Sequence, residues 1–317
     1  MNWVRPRKPN APTTGRVVIN TDDGDYRVWY YWFPLFVKKA YEHSQWVTRG
    51  KPSVAVFNPA VNPYYLGSLN AQGNLCLTAD QIKYMYDCGF EICSHGHKHV
   101  YLSDYAIAQA LTTGNTRVYH NAFDAPYAYA VGYTYTIKEG EAEEIVTVEA
   151  VGDDGTPYFD ITAPITNNYT TAARIYPTED TIIKEFNRSI IDLDALGITC
   201  KNHVGAFYNL NATAKALAKN YFDSSTQASG AITDVLLIDL YDIKRTDDIS
   251  TLTQGDIDTI LDEVQQLDTV VFIQGHNSPT DAVLNLLEYL IDQCLTRGVR
   301  IVNQADAVDF IKSQQAS

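Results

Sequence analysis

Arg16-Val-Val-Ile-Asn-Thr-Asp-Asp-Gly24 and Phe90-Glu-Ile-Cys-Ser-His-Gly-His-Lys-His99 are two short apolar runs that stop abruptly on residues able to bind a metal. The first ends on two acids and a glycine, the second on three histidines. A buried strand whose C-terminal end carries polar side chains is how α/β enzymes present a site. One acidic and one imidazole-rich strand end in the same chain point to a shared divalent cation. Mixed imidazole and carboxylate donors suit Zn2+ first, with Co2+, Ni2+ or Mn2+ as alternatives.

The spacing of the histidines supports that reading. His95 and His99 lie four apart, so a turn following the strand brings both rings to one side. Three of the chain's seven histidines fall within five residues. Asp22 and Asp23 are adjacent and would face opposite ways on a strand; at a strand end that turns, they can take different jobs in one site. One can hold the cation, which relieves the repulsion between two close carboxylates, while the other stays free as a base. His276 closes a third apolar run, Thr269-Val-Val-Phe-Ile-Gln-Gly-His276. Combined with the other two strand ends, it is the natural proton donor.

Working outward, the chain alternates strand and helix patterns. Helices are expected over Phe36 to Trp46, Thr78 to Cys88, Ser103 to Thr113, Glu179 to Leu196, Ala212 to Asn220, Thr253 to Leu267, Pro279 to Arg297 and Ala305 to Ser313. Strands are expected at Ser53 to Phe57, Ile198 to Phe207, Val235 to Leu240, Thr269 to His276 and Val299 to Val302, with a long loop from Asn58 to Asn74. About seven parallel strands alternating with helices imply a distorted (β/α) barrel. Residues 115–178 differ: eight tyrosines, nine acids and three basic residues, with period-two runs such as Tyr133-Thr-Tyr-Thr-Ile137. They read as a β-rich insertion whose tyrosines form its core, with Asp153-Asp154-Gly155 as a hairpin turn. The organisation is thus an extended arm at 1–14, a barrel from 15–114 and 179–317, and the insertion between.

With 317 residues, 45% of them hydrophobic, the chain can bury a full core. A formal charge of −14 argues against a nucleic-acid partner. Five widely spaced cysteines imply no disulfide framework. No run approaches the ~18 apolar residues of a membrane span, and the N-terminus has no apolar signal-peptide core. Localisation is left open.

The three strand ends resemble the motifs of the polysaccharide deacetylase family (NodB homology domain, carbohydrate esterase family 4). That family's Thr-Phe-Asp-Asp-Gly is approximated by Asn20-Thr21-Asp22-Asp23-Gly24. Its His-Ser/Thr-x-x-His matches His95 to His99, with Gly96 in the Ser/Thr position, and its Leu-x-His is approximated by Gln274-Gly275-His276. The resemblance implies Asp23, His95 and His99 as metal ligands, Asp22 as general base and His276 as general acid in removing acetyl groups from an N- or O-acetylated polysaccharide. The family's third motif should fall around Lys201 to Asn209. No arginine is there to orient the base, so Lys201 and His203 are the candidates, and Tyr208 lies where the oxyanion N–H is expected. For the aspartate that flanks the acid histidine, Asp239 or Asp242 is nearest. Trp29 and Trp32, close to the acid pair, are candidate sugar-stacking platforms, and His97 a supporting residue. A non-catalytic glycan-binding or structural module retaining this fold is the second reading. A virion component such as a phage tail protein, meeting a bacterial surface through the arm or the insertion, would suit the host context. A metallo-β-lactamase-like site ranks last, because Lys98 stands where that motif needs an aspartate.

Overall fold

The computed structural model describes residues 15–42, 57–70, 73–122, 128–276 and 280–316. The N-terminal arm and most of the strand expected at Ser53 to Phe57 lie outside them. In chain order, β1 (Arg16–Thr21) is followed by a π-helical turn (Val28–Trp32) that runs into α1 (Phe33–Glu42), then β2 (Phe57–Val61), α2 (Ala79–Asp87) and β3 (Cys93–Ser94). Next come β4 (Tyr105–Ala106), β5 (Arg117–Tyr119), β6 (Thr134–Glu139), β7 (Ala142–Asp153), β8 (Pro157–Ile161) and β9 (Arg174–Pro177). The α/β alternation resumes with α3 (Glu179–Asp194), β10 (Asn202–Val204), α4 (Ala212–Ala218), β11 (Ser224–Ser229) and β12 (Ile243–Arg245). It ends with α5 (Gln254–Leu267), β13 (Val270–Gly275), α6 (Asp281–Arg297), β14 (Arg300–Ile301) and α7 (Gln304–Gln315).

Eight strands, one more than expected, form the main sheet in the order β12-β11-β10-β3-β2-β1-β13, with β14 also beside β1. All of these pairings are parallel. The two ends of the path meet where Thr246 N–H donates to Phe272 O at 2.7 Å and Asp248 bridges Gln274. Both faces of such a sheet are buried, which explains the unbroken apolar run of β1. Val17 and Ile19, with Val271 and Ile273, join the large cluster that includes Leu261 of α5 and Leu287 and Ile291 of α6. Val18, Val270 and Phe272 point the other way, to Ile243, Val302 and Ala307. Strand periodicity therefore puts Asn20 and Asp22 on the same face as Val18.

A second sheet is antiparallel, in the order β4-β9-β6-β7-β8-β5. The 12-residue β7 serves both halves: its first part pairs with β6, its second with β8, across an irregularity between Val148 and Ala150. Tyr129, Tyr133, Tyr135 and Tyr169 are buried with Phe159, as a tyrosine core requires. The turn at Asp153 to Gly155 joins β7 to β8, with Gly155 N–H donating to Asp153 Oδ1 at 2.8 Å.

Three expectations need correction. Ser103 to Thr113 is not a helix: β4 pairs with β9, and Ile107 and Leu111 bridge His120 and Tyr169. Both are buried four residues apart, so their spacing mimics a helical face while pairing with the antiparallel sheet overrides it. Val235 to Leu240 is not a strand either. Asp234 caps a 3-10 turn over Val235–Leu237, leaving Leu236 and Leu237 exposed. The strands there are β11 and β12 on either side. The loop expected from Asn58 includes most of β2.

Candidate metal and acid–base site

The site lies where β1, β3, β12 and β13 end. Asp22 N–H donates to Gly275 O at 3.0 Å, keeping β1 in register with β13. The chain then turns sharply: Asp23 is left-handed at φ 68° and Gly24 follows at 58°. A non-glycine residue in that region costs about 1–2 kcal/mol. The turn sends the neighbouring carboxylates in different directions, Asp22 to Arg245 and Asp23 to His95 and His99.

Asp23 faces the histidines. Its Oδ1 lies 3.4 Å from His95 Nε2 and 3.1 Å from His99 Nε2, and the two imidazole nitrogens are 3.2 Å apart. His95 Nδ1 is 2.8 Å from Val204 O, a contact that makes Nδ1 a donor and turns Nε2 toward Asp23. Asn62 donates from Nδ2 to His95 O and to Gly96 O, fixing the loop from below. His99 is also left-handed, φ 58°, and its ring packs 4.4 Å from Phe207, itself at φ 51°. Three of the four left-handed non-glycine residues among the described residues thus surround this cleft. Backbone strain concentrated in this way is common at functional sites. Although burial opposes it, contact with His95 and His99 holds the Asp23 carboxyl well below the usual carboxylate range. A tetrahedral cation with bonds of about 2.0–2.1 Å needs donors roughly 3.3–3.4 Å apart. The observed separations and the one-carboxylate, two-imidazole donor set fit a divalent metal, and no other such group occurs among the described residues.

Asp22 faces the other way, into the sheet. Arg245 Nη1 donates to its Oδ1 at 2.7 Å, both side chains being buried, and Arg245 Nε is held by Gln227 O at 3.1 Å. The second oxygen, Asp22 Oδ2, has no hydrogen-bond partner among the described residues. His276 Nε2 stands 3.9 Å from it. His276 in turn is clamped by Asp248, whose Oδ2 accepts from the His276 backbone N–H at 2.8 Å and lies 2.6 Å from Nδ1. Burial works against the imidazolium, but the Asp248 bond and the charges of Asp22 and Asp23 raise the His276 pKa to about 9. Partial burial likewise opposes ionisation of Asp248, and its bonds to His276 and Ser250 outweigh it, bringing its pKa to about 2.

This pair gives a direct expectation. In an NMR titration of the cation-free protein, His276 should have a midpoint near 9, and Asp248→Asn should move it down toward the ordinary imidazole value of about 6.5. The stabilisation that comes with the raised pKa is complete below about pH 6.5 and is lost as pH rises through about 9. An unchanged midpoint in Asp248→Asn would remove Asp248 from this role.

Several residues singled out from sequence lie elsewhere. Trp32 is not a stacking platform: it is buried beneath the sheet end, against Gly275, where an added Cβ would stand 2.3 Å from its ring. Trp29 stacks on Phe33 at 5.0 Å, edge-on to Tyr84, as part of the helix packing. Proximity in sequence to the acid pair said nothing about which way these rings face. His97 turns to Asp192 of α3, Nδ1 to Oδ2 3.1 Å, away from Asp23. Lys201 is exposed, and His203 is a core histidine between Phe186 and Phe222, its pKa lowered to about 3 chiefly by burial, with His95 and Arg245 nearby adding to the effect. Neither contacts Asp22. Asp239 caps its own turn, and Asp242 pairs with Lys215 and Lys244. Tyr208 ends a 3-10 turn after the left-handed Phe207.

Arg245 and Asp248 were missed. Both lie in the polar stretch Ile243-Lys-Arg-Thr-Asp-Asp248, which has no apolar run to mark it. The available signal was an alternating Ile-Lys-Arg followed by acids, one helix before the strand that ends at His276.

No family model and no curated protein sequence matches the chain. Solved structures similar to it are polysaccharide deacetylases and family 4 carbohydrate esterases. A protein from Mycobacterium smegmatis provisionally named a polysaccharide deacetylase is 13% identical, with 98% of this chain and 94% of that one covered and a TM-score of 0.48. A family 4 carbohydrate esterase from Streptomyces lividans, solved with acetate, is 11% identical over 92% of each chain, TM-score 0.45. A pseudoenzyme of the same family from Bacillus anthracis is 9% identical, covering 94% of this chain and 67% of its own, TM-score 0.47.

Proposed function

We propose that this protein is a metal-dependent deacetylase acting on an acetylated polysaccharide. The observation that carries the reading is the division of labour between adjacent acids. Asp23 sits on two imidazoles, while Asp22, anchored through one oxygen by Arg245, keeps its other oxygen free 3.9 Å from a histidine held by Asp248. Asp23, His95 and His99 would hold the cation, Zn2+ being best suited. When bound, it supplies Lewis-acid polarisation of an acyl oxygen and lowers the pKa of water. In this reading Asp22 Oδ2, the oxygen that Arg245 leaves without a partner, would accept a proton from the attacking water. His276 Nε2 is placed to protonate the departing nitrogen or oxygen, with Asp248 keeping that ring charged. Cleaving an amide needs base and acid as separate groups, and the two follow neighbouring strands here, β1 and β13. The backbone N–H of Tyr208 is the candidate donor to the developing oxyanion.

The alternative, a glycan-binding module without turnover, drew its support from the missing arginine and aspartate. On the proposed reading Arg245, bonded to Asp22, and Asp248, bonded to His276, would take those roles from different positions in the chain. Cation analysis of the purified protein, combined with acetate release from chitin oligomers, peptidoglycan and acetylated xylan, tests the proposal. One cation per chain is expected, with release from at least one glycan, lost on chelation and regained on adding Zn2+. A tightly bound cation with no acetate from any of the three would favour the binding module.

A further inference from the structure

Beside its buried Ile182, Phe186 and Leu193, helix α3 carries a stripe of polar side chains, Thr181, Glu185 and Ser189 buried and Asp192 half-buried, on its inward side. Thr181 donates through Oγ1 to Thr134 O at 2.7 Å, at the start of β6. One turn on, Glu185 accepts from Lys98 N–H with both oxygens, at 3.0 and 3.1 Å, and from Tyr133 Oη–H at 2.8 Å. Ser189 meets Ser94 at 2.8 Å, Oγ to Oγ, and Asp192 meets His97 at 3.1 Å. Spacings of four, four and three keep all four on one helical face. Glu185 is only 1% exposed, and a buried carboxylate is costly unless its partners are well placed. Its partners come from two sources: the segment linking His95 to His99, and the antiparallel sheet.

Gly96 explains the choice. It stands at φ 80°, and an added Cβ would lie 2.5 Å from Glu185 Oε2, so the carboxylate occupies the space that a side chain at position 96 would fill. The loop thus gives up its own side chain at that point and takes a support from α3 instead.

We infer that Glu185 is a positioning residue for the His95–His99 loop, and that Tyr133 links the β-rich insertion to the cation site through it. The inference rests on Asp23, His95 and His99 binding a cation, and goes beyond it by giving the insertion a part in that site. Losing an outer hydrogen-bond partner of metal ligands typically weakens affinity 10–100-fold. Glu185 holds the backbone between the two histidines rather than their rings, so Zn2+ affinity, measured by competition with a chromophoric chelator, should fall by about tenfold, the low end of that range, in Glu185→Ala. Removing the single hydroxyl in Tyr133→Phe should weaken binding by about threefold, less than Glu185→Ala because it removes one of the three hydrogen bonds that Glu185 accepts. In both variants the absorption bands of the Co2+-loaded protein should shift, with far-UV circular dichroism unchanged. If Glu185→Ala fails to fold, Tyr133→Phe decides alone. Wild-type affinity and wild-type Co2+ bands in the folded variants would overturn this inference while leaving the cation site intact. A wild-type protein that binds no cation would overturn both.

Discussion

Asp22→Asn should reduce acetate release by about 10²–10⁴-fold, the usual contribution of a positioned general base, and leave cation binding as it was. The amide keeps an oxygen for Arg245, so the fold around it is retained, but it can no longer take a proton. Asp23→Asn should do the reverse in the first instance, weakening the cation itself. The contrast is informative because the two residues are neighbours: any general disturbance of the turn would affect both variants alike. A rate within tenfold of wild type in Asp22→Asn would exclude it as the base. So would equal loss of cation in both variants.

Arg245→Met should destabilise the protein by roughly 3–5 kcal/mol, because it leaves a buried carboxylate without its counter-charge. Both partners are essentially inaccessible, 0% and 1% exposed, so solvent cannot replace the lost bond. The double variant Asp22→Asn/Arg245→Met should be less destabilised than the sum of the single changes, since it removes the stranded charge as well. Denaturant unfolding of the four proteins measures this coupling. Additive losses, or an Arg245→Met protein as stable as wild type, would show that the pair is not what anchors Asp22.

What could be read from the chain, and what could not, divides along a physical line. Asp22, Asp23, His95, His99 and His276 were visible because each ends an apolar run, and strand ends carry local signatures. The residues that support them were not. Arg245 reaches Asp22 only because β12 meets β13 at the closing edge of the sheet, and the contact between the two side chains spans 223 positions. β11 was invisible for a different reason: Ser224-Ser-Thr-Gln-Ala-Ser229 has none of the β-branched apolar alternation of a buried strand. Its Ser224 and Thr226 are nevertheless fully buried, and Ser224 is satisfied by Asn202 and Gln304. A strand that faces a polar interior hides from any reading based on hydrophobicity. Glu185 was hidden likewise, as a charged residue on a helix whose outer face is rich in charge.

The seam of the main sheet couples chemistry to integrity. Between β12 and β13 the described backbone contacts are the Thr246–Phe272 hydrogen bond and the Asp248–Gln274 bridge. Arg245 and Asp248, the partners of Asp22 and His276, are both on the β12 side of that seam, whereas Asp22 and His276 follow β1 and β13. On the proposed function, parting the seam by a few ångströms would stop turnover without touching Asp23, His95 or His99, so warming should extinguish acetate release before the helices melt.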